Sequence, residues 1–513
     1  MKSFLLILLN IGFIHLLIAQ NYDKIWLLGY GEYYPNEIPK EGLSFLDFRN
    51  QEIKIQYLKA NNPRNNLEFN YVNISDYSGE FAFYTNGACV FNRNYEVMKN
   101  GDTLNPGEVF EGLKGFEYPA QNGSVVLPDP GNNQQYYILH KGLKIGGSQW
   151  SAYYFDDVLY YSKVDMNLEE GVGAVTQKNI VLLRDTLNES QTAACRHANG
   201  RDWWIPIRNG NRNLYYLYLL DPAGIHLDHT QSIGLDGPGL DDTFNGNACF
   251  SPDGTKYASC LREDFTQIFT FDRCSGYFSD QLHIVSLADT GTYFSYASCV
   301  CFSPNSRFLY FNDNYRLLQY DFQQQNVKET ETLIAVWDTF FYRDIFPTAF
   351  FQTRLGPDGK IYMCMFGGSN IYLHRINDPN LKGTDCNFVQ RDIELPNKHS
   401  GIMPYFPNYN LGAIKGSVCD SLTNVQELTK DEFKVYPNPI DDYLVIERTV
   451  DASMKQDLSL VLHSIDGRVL LNKGIINSSF SQQIDLRDLV PGIYWYKIRN
   501  GNIVIQTGKL VKY

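Results

Sequence analysis

The stretch NACFSPDGTKYASC, Asn247 to Cys260, returns as SCVCFSPNSRFLYFN at Ser298 to Asn312 and as QTRLGPDGKIYMCM at Gln352 to Met365. Each copy encodes a short strand, a Pro-Asp-Gly type turn and a second strand. Pro presets φ for the turn, and Gly or Asn tolerates the positive φ that follows. Upstream, TAACRHANGRDWWIPI puts Asn199-Gly200 where the later copies put Asp253-Gly254, and SVVLPDPGNNQQYYILH and SDYSGEFAFYTNGACVFN are two looser copies. From Asn199 to Asp253, Asn305 and Asp358 the turns fall 54, 52 and 53 residues apart, near the roughly 40 to 50 residues of a four-stranded propeller blade. QIFTFDRCSGYFSD and RLLQYDFQQQNVKET supply outer strands, and no long amphipathic helical pattern intervenes, which disfavours alternating βαβ architecture. The expected fold is all-β, a seven-bladed β-propeller with six and eight blades as alternatives. Its ring would close by pairing strands from both ends, for instance KIWLLGY near Lys24 with YFPNYNLG near Tyr405.

Composition agrees with strands: 14% of residues are aromatic, including 36 Tyr and 32 Phe. A formal net charge of -13 argues against a nucleic-acid partner, because that affinity rests on neutralising phosphates with Lys and Arg. The N-terminal MKSFLLILLNIGFIHLLIAQ pairs one Lys with a short apolar run and reads as a secretory signal peptide over residues 1–20. No Cys follows the run, which disfavours a lipoprotein anchor, and no later segment reads as a membrane helix. The mature chain is expected to be a soluble exported protein.

Export permits the ten cysteines to pair. They lack the paired CxxC spacing of a structural zinc site, so no metal and no cofactor is assigned. Cys195, Cys249 and Cys301 each stand four residues before the turn Asn or Asp, a sign of repeat register. They read as small buried hydrophobes on inner strands, with inter-strand disulfides as the alternative. Cys386 and Cys419 are the expected disulfide.

The propeller is assigned to residues 21–416 and a polar linker to 417–430. A compact unit over 431–513 follows, with alternating strands and hairpin signals at Asp466-Gly467 and Asn500-Gly501, which reads as a small β-sandwich. Its VYPNP at Val435 to Pro439, IDGRVL at Ile465 to Leu470, LVPGIYWYKI at Leu489 to Ile498 and terminal GKLVKY resemble the type A C-terminal sorting domain of the type IX secretion system of Bacteroidetes. The resemblance implies an outer-membrane export signal handled by the type IX machinery, commonly removed after translocation, on a cargo released or attached at the cell surface. FAFYTNGACVFNRNYEVMKNGD, VDMNLEEGVGAVTQKN and RHANGRDWWI resemble propeller-like ectodomains of gliding-associated Bacteroidetes proteins, which implies fold and location and no chemistry.

No GxSxG elbow, HExxH helix, Walker loop or EF-hand spacing occurs, so no catalytic residue is assigned. Asp236, Asp241 and Asp242 in GLDGPGLDDTFNG could ligate calcium, against the simpler reading of a solvated turn-rich loop. Arg196, His197 and Arg354 fall just before hairpin turns on expected innermost strands and are the candidate ligand-binding residues, suited to an anionic or sugar ligand. Trp203 with Trp204, or Tyr153 with Tyr154, would stack on sugars if exposed and otherwise pack between blades. The expected function is a non-enzymatic exported propeller that binds a protein or glycan. The alternative is a propeller hydrolase or lyase acting on extracellular polysaccharide or lactone, whose hallmark would be an acid and a base paired in the channel.

Overall fold

A computed structural model describes residues 20–30, 41–59, 65–68, 70–113, 117–148, 151–188, 192–236, 246–260, 265–285, 299–420, 433–448, 458–464, 468–475, 481–500 and 503–512. Of the expected signal peptide only Gln20 lies among them. The chain divides into two units, 1–420 and 421–513.

The repeated turns form as their residues dictate. The residue after the Asn or Asp has positive φ in four successive copies: Gly200 at 72°, Gly254 at 71°, Ser306 at 58° and Gly359 at 78°. Its N–H donates to the carbonyl three residues back, and the Asn199, Asp253, Asn305 or Asp358 Oδ1 accepts the N–H two residues on. An Asx side chain thus completes each turn. The copies differ in how tightly they are packed. A Cβ at Gly254 would lie 2.7 Å from Arg273 Cδ, 2.8 Å from Leu411 Cδ2 and 2.9 Å from Cys195 Sγ, whereas at Gly359 its nearest neighbour is Pro304 Cγ at 3.8 Å. Gly359→Ala is expected to cost about 1–2 kcal/mol through φ alone, and Gly254→Ala roughly 2–5 kcal/mol because overpacking adds to it. Denaturant titration of the two variants checks this; equal losses would show the turns to be equivalent.

Among the described residues, seven sheets follow in chain order over 25–58, 72–92, 124–187, 195–232, 248–285, 299–336 and 350–399, numbered here 1 to 7. Sheets 1 and 2 have three strands and the rest four, always with sequence neighbours paired in space. A small hairpin, Phe341–Tyr342 with Phe346–Pro347, stands between sheets 6 and 7. Alternating apolar side chains give each sheet two faces to bury, and each sheet buries them against the next. Leu27 and Leu43 of sheet 1 share a core with Tyr84 and Phe91 of sheet 2. Phe83, Val126, Trp203 and Tyr257 carry a core through sheets 2 to 5. Ile268 meets Phe302, and Tyr310 meets Ile361, from sheet 5 to sheet 7. Tyr362 and Leu373 of sheet 7 then share a core with Trp26 and Leu46 of sheet 1. The circle of interfaces is complete, and the first strands of sheets 1 to 3, and those of sheets 5 to 7, lie against one another. This is β-propeller architecture.

The ring does not close by the expected strand sharing. Ile25–Gly29 pairs with Leu43–Asp47, and residues 400–420 contain no strand. Pro404 and Pro407 withdraw two N–H donors from that segment, which unfits it for a ladder. Closure comes instead from the last strand of sheet 7, Phe388–His399. Its Asn397 Nδ2 donates to Gly42 O at 2.7 Å, and its Oδ1 accepts from Ser44 Oγ at 2.7 Å.

Residues 401–420 form a strap across the centre. Ile402 O accepts from Tyr71 OH at 2.7 Å, Met403 N donates to Gln352 Oε1, and Phe406 stacks on Trp26. Asn408 Nδ2 donates to Pro252 O, Tyr409 OH to Val126 O, and Ile414 N to Ala198 O. One short segment therefore touches parts of the chain belonging to or bordering sheets 1, 2, 3, 4, 5 and 7, which requires it to cross the ring.

The strap ends at a disulfide, and here the structure corrects the expected pairing. Cys419 bonds to Cys274, in the turn between the last two strands of sheet 5, and Cys386 is a free buried thiol beside Tyr310. The physical reason is the path of the strap, which leaves sheet 7 and arrives at sheets 4 and 5. Cys195, Cys249 and Cys301 are also free thiols.

In the second unit, Phe433–Tyr436, Tyr443–Arg448 and Ser481–Asp485 form one sheet, and Leu458–His463, Val469–Gly474, Gly492–Asn500 and Ile503–Lys512 another. Both contribute to one core that includes Phe433, Ile446, Leu460 and Tyr496. Asp466, Gly467 and Gly501 of the expected hairpin turns lie outside the described residues.

Candidate functional site

The first strands of sheets 4 to 7, their turns and the strap surround a cavity of about 270 Å³. In the repeat register, the position four residues before the turn Asn or Asp holds Cys195, Cys249, Cys301 and Arg354, and all four line this cavity. Pro252, Pro304 and Pro357 of the turns ring it, and Pro404 to Asn408 with Asn410 and Leu411 wall it.

Arg354 is 6% exposed and carries a charge into this enclosure. Its Nη2 donates to Asn122 Oδ1 at 3.2 Å, from sheet 7 to the chain entering sheet 3, and its Nη1 to Thr353 O at 3.3 Å. The guanidinium lies 5.5 Å from the centre of the Tyr405 ring. Nε has no hydrogen-bond partner, and no carboxylate pairs with the group among the described residues. Arg196 also lines the cavity but stands one register position further on, so its side chain leaves the opposite face of the strand. It packs on Trp203 at 3.9 Å, donates through Nη2 to Gln20 Oε1 at 2.5 Å and through Nη1 to Arg201 O. Burial lowers its pKa to about 10, which leaves it protonated at neutral pH. The two guanidiniums share one cavity and bond in different directions.

His197 does not line the cavity. Its Nδ1 accepts the Asn199 N–H at 3.0 Å and its Nε2 donates to Cys274 O at 3.1 Å, so both ring nitrogens serve the scaffold. Trp203 and Trp204 are buried, the first against Tyr409 and the second donating to Arg273 O. Tyr153 packs on Phe155, and both it and the more exposed Tyr154 lie on the long second hairpin of sheet 3, outside the cavity lining. Asp236 Oδ1 accepts from Asn213 N; Asp241 and Asp242 lie outside the described residues.

Three further residues shape the site. Asp23 lines the cavity, its Oδ1 is enclosed without a partner, and burial pushes its pKa up to about 6 while Lys24 pulls it back. Tyr405 forms the floor beneath Arg354. Arg273 ties the strap to the ring by donating to Arg196 O, His197 O and Gly412 O. The repeat register offered no signal for them: Asp23 precedes the first strand, Arg273 lies in the turn between the last two strands of sheet 5, and Tyr405 follows the last repeat. Burial pushes the Cys195 and Cys249 thiols up to about 12, so they are protonated and poorly nucleophilic. Among the described residues no group of three or more His, Cys, Asp or Glu is placed to hold a metal ion, and no helix is long and apolar enough to cross a membrane.

Among solved structures, the chain is similar to a protein from Lactobacillus plantarum, at 12% identity over 75% of this chain and 99% of that one, with a TM-score of 0.37. It is also similar to a periplasmic gluconolactonase of Pseudomonas aeruginosa, at 11% identity over 75% of this chain and 100% of that one, with a TM-score of 0.40. A β-propeller domain from Myceliophteria thermophila matches at 8% identity over 68% of this chain and 94% of that one, with a TM-score of 0.34. Likeness at this level transfers no chemistry. No curated protein matches the chain. A family model does match residues 434–513, described as a secretion system C-terminal sorting domain. Its position covers the second unit and the VYPNP, IDGRVL and GKLVKY motifs, so the chain is a cargo carrying a type IX C-terminal sorting domain, exported to the cell surface or the extracellular space.

Proposed function

We propose that the exported propeller binds a carboxylate-bearing glycan in its central cavity and is not an enzyme. The observation that carries this is Arg354, a buried guanidinium at the ring centre with an aromatic floor and no carboxylate partner among the described residues. A charge so enclosed gains most from an anion that brings its own hydrogen-bond acceptors. Tyr405 and the three turn prolines offer flat apolar surface to a sugar ring. The cavity lining holds one carboxylate, Asp23, and no histidine, so the paired acid and base of a polysaccharide hydrolase or lyase is lacking from it.

Asp23 gives the site a pH dependence. A uronate stays ionised well below pH 6, while Asp23 loses its charge as pH falls through about 6. Repulsion of the ligand is then relieved, and binding tightens between pH 7.5 and 5.5; Lys24 and Tyr409 interact electrostatically with Asp23, and Arg196 and Arg354 share its cavity. The test is an array of oligouronides beside the same sugars with carboxyls reduced to alcohols. Binding confined to the acidic members, and stronger at pH 5.5, is expected. Equal binding to both sets, or to neither, would refute the assignment.

A further inference from the structure

We propose that Asn122-Gly123 is a self-deamidating site whose Asn122 amide is activated by Arg354 and Gln352, and that the carboxylate it becomes closes the anion site. The observation is the pair of bonds on Asn122 Oδ1, which accepts from Gln352 Nε2 at 2.8 Å and from Arg354 Nη2 at 3.2 Å. The orientation follows from the donors. Gln352 Oε1 already accepts from Met403 N, so its Nε2 faces Asn122, and a guanidinium can only donate. The Asn122 carbonyl oxygen therefore points at both, and Nδ2, the leaving group, is turned away from them. Gly123 follows, with no Cβ to hinder the approach of its nitrogen.

The chemistry needs nothing beyond water. The turn bond from Gly123 N to Ala120 O at 3.0 Å must open first. The Gly123 nitrogen then gives its proton to solvent and bonds to Asn122 Cγ, and negative charge collects on Oδ1, where one cationic and one neutral donor are already in place to hold it. The Cγ–Nδ2 bond breaks, ammonia leaves with a proton taken from solvent, and a succinimide remains. Asn122 is half-buried, so water reaches it and opens the ring at either carbonyl, giving aspartate or isoaspartate.

Asn86, Asn199 and Asn209 also precede glycine and serve as internal standards. Each is 1% exposed, and each Oδ1 accepts the N–H groups of the two residues beyond its glycine. These amides are locked in their own turns and shielded from water. The consequence for binding rests on the ligand reading above: a carboxylate at Asn122 would lie against Arg354 Nη2, supply the acceptor that the ligand otherwise brings, and silence the site as the protein ages.

The test ages the full chain at pH 8, folded and in urea, and follows the four sites by peptide mass spectrometry, each rate in urea serving as that site's reference. Folding is expected to speed deamidation at Asn122 and to slow it at least tenfold at Asn86, Asn199 and Asn209. In a folded Arg354→Gln variant the Asn122 rate should fall at least tenfold. An Asn122 slowed by folding like the other three, or a rate unchanged by Arg354→Gln, overturns the activation, and the first comparison needs no variant. Asn122→Asp, which makes the product directly, is expected to bind oligogalacturonate at least tenfold more weakly than the parent. Parent-like binding by the folded variant overturns the silencing alone. A parent that does not bind refutes the ligand assignment and the silencing with it, while the deamidation stands or falls on the ligand-free rates.

Discussion

A chain ended after Asp420 will fold but will not leave the cell. Everything that closes the ring, from Asn397 on Gly42 to the Cys274–Cys419 bond, lies within the first unit. The second unit has its own core, built from residues such as Phe433, Ile446 and Tyr496. Removing residues 421–513 therefore takes away the sorting domain without opening a core of the propeller. In the native host, cell fractionation is expected to show the truncated protein retained in the periplasm, with its extracellular and surface fraction down at least tenfold. Thermal melting of the purified propeller should remain cooperative. Export at the level of the full chain would contradict the role of the second unit, and an unfolded product would contradict the independence of the first.

Tyr409→Ala is expected to cost about 3–5 kcal/mol, the largest loss of any single change considered. The side chain is 1% exposed, its ring lies 5.3 Å from Tyr22 and 5.7 Å from Trp203, and its hydroxyl donates to Val126 O at 2.9 Å. Truncation removes contacts to three parts of the ring at once, and the space cannot collapse because sheets 3 and 4 are held by their own ladders. Tyr409→Phe keeps the ring and deprives only the Val126 carbonyl, which should cost about 1 kcal/mol. Urea titration separates the two variants. A Tyr409→Ala protein as stable as the parent would mean that the strap rests on the ring without supporting it.

The parts of this fold legible in the sequence are those set by local chemistry. Pro, an Asx acceptor and a residue at positive φ make a turn wherever they occur, and four turns with matching bonds at Gly200, Gly254, Ser306 and Gly359 follow from that. The strap was not legible, because YFPNYNLG has the aromatic content of a strand and its partners lie hundreds of residues away. Pro404 and Pro407 were the available warning. The disulfide depended on where the strap ends and could not be read from spacing.

The candidate site was partly legible for the same reason. Arg354 occupies the register position of Cys195, Cys249 and Cys301 and so reaches the cavity with them. His197 occupies the position of Ser251 and Ser303, whose hydroxyls accept the Lys256 and Phe308 N–H groups within their own turns. Aligning His197 with those serines points to a turn residue, which is what its two bonds make it. Asp23 belongs to no repeat, and only the folded ring brings it to the centre.

The most direct test of the central claim is a calorimetric titration of the protein and its Arg354→Gln variant with an oligogalacturonate at pH 5.5. The variant keeps a hydrogen-bonding side chain and loses the charge, and its melting curve confirms that the ring is intact. A charge-assisted bond contributes about 1.5–3 kcal/mol, so the affinity should fall roughly 10- to 100-fold. Identical affinities for the parent and a folded variant would contradict a carboxylate site at Arg354.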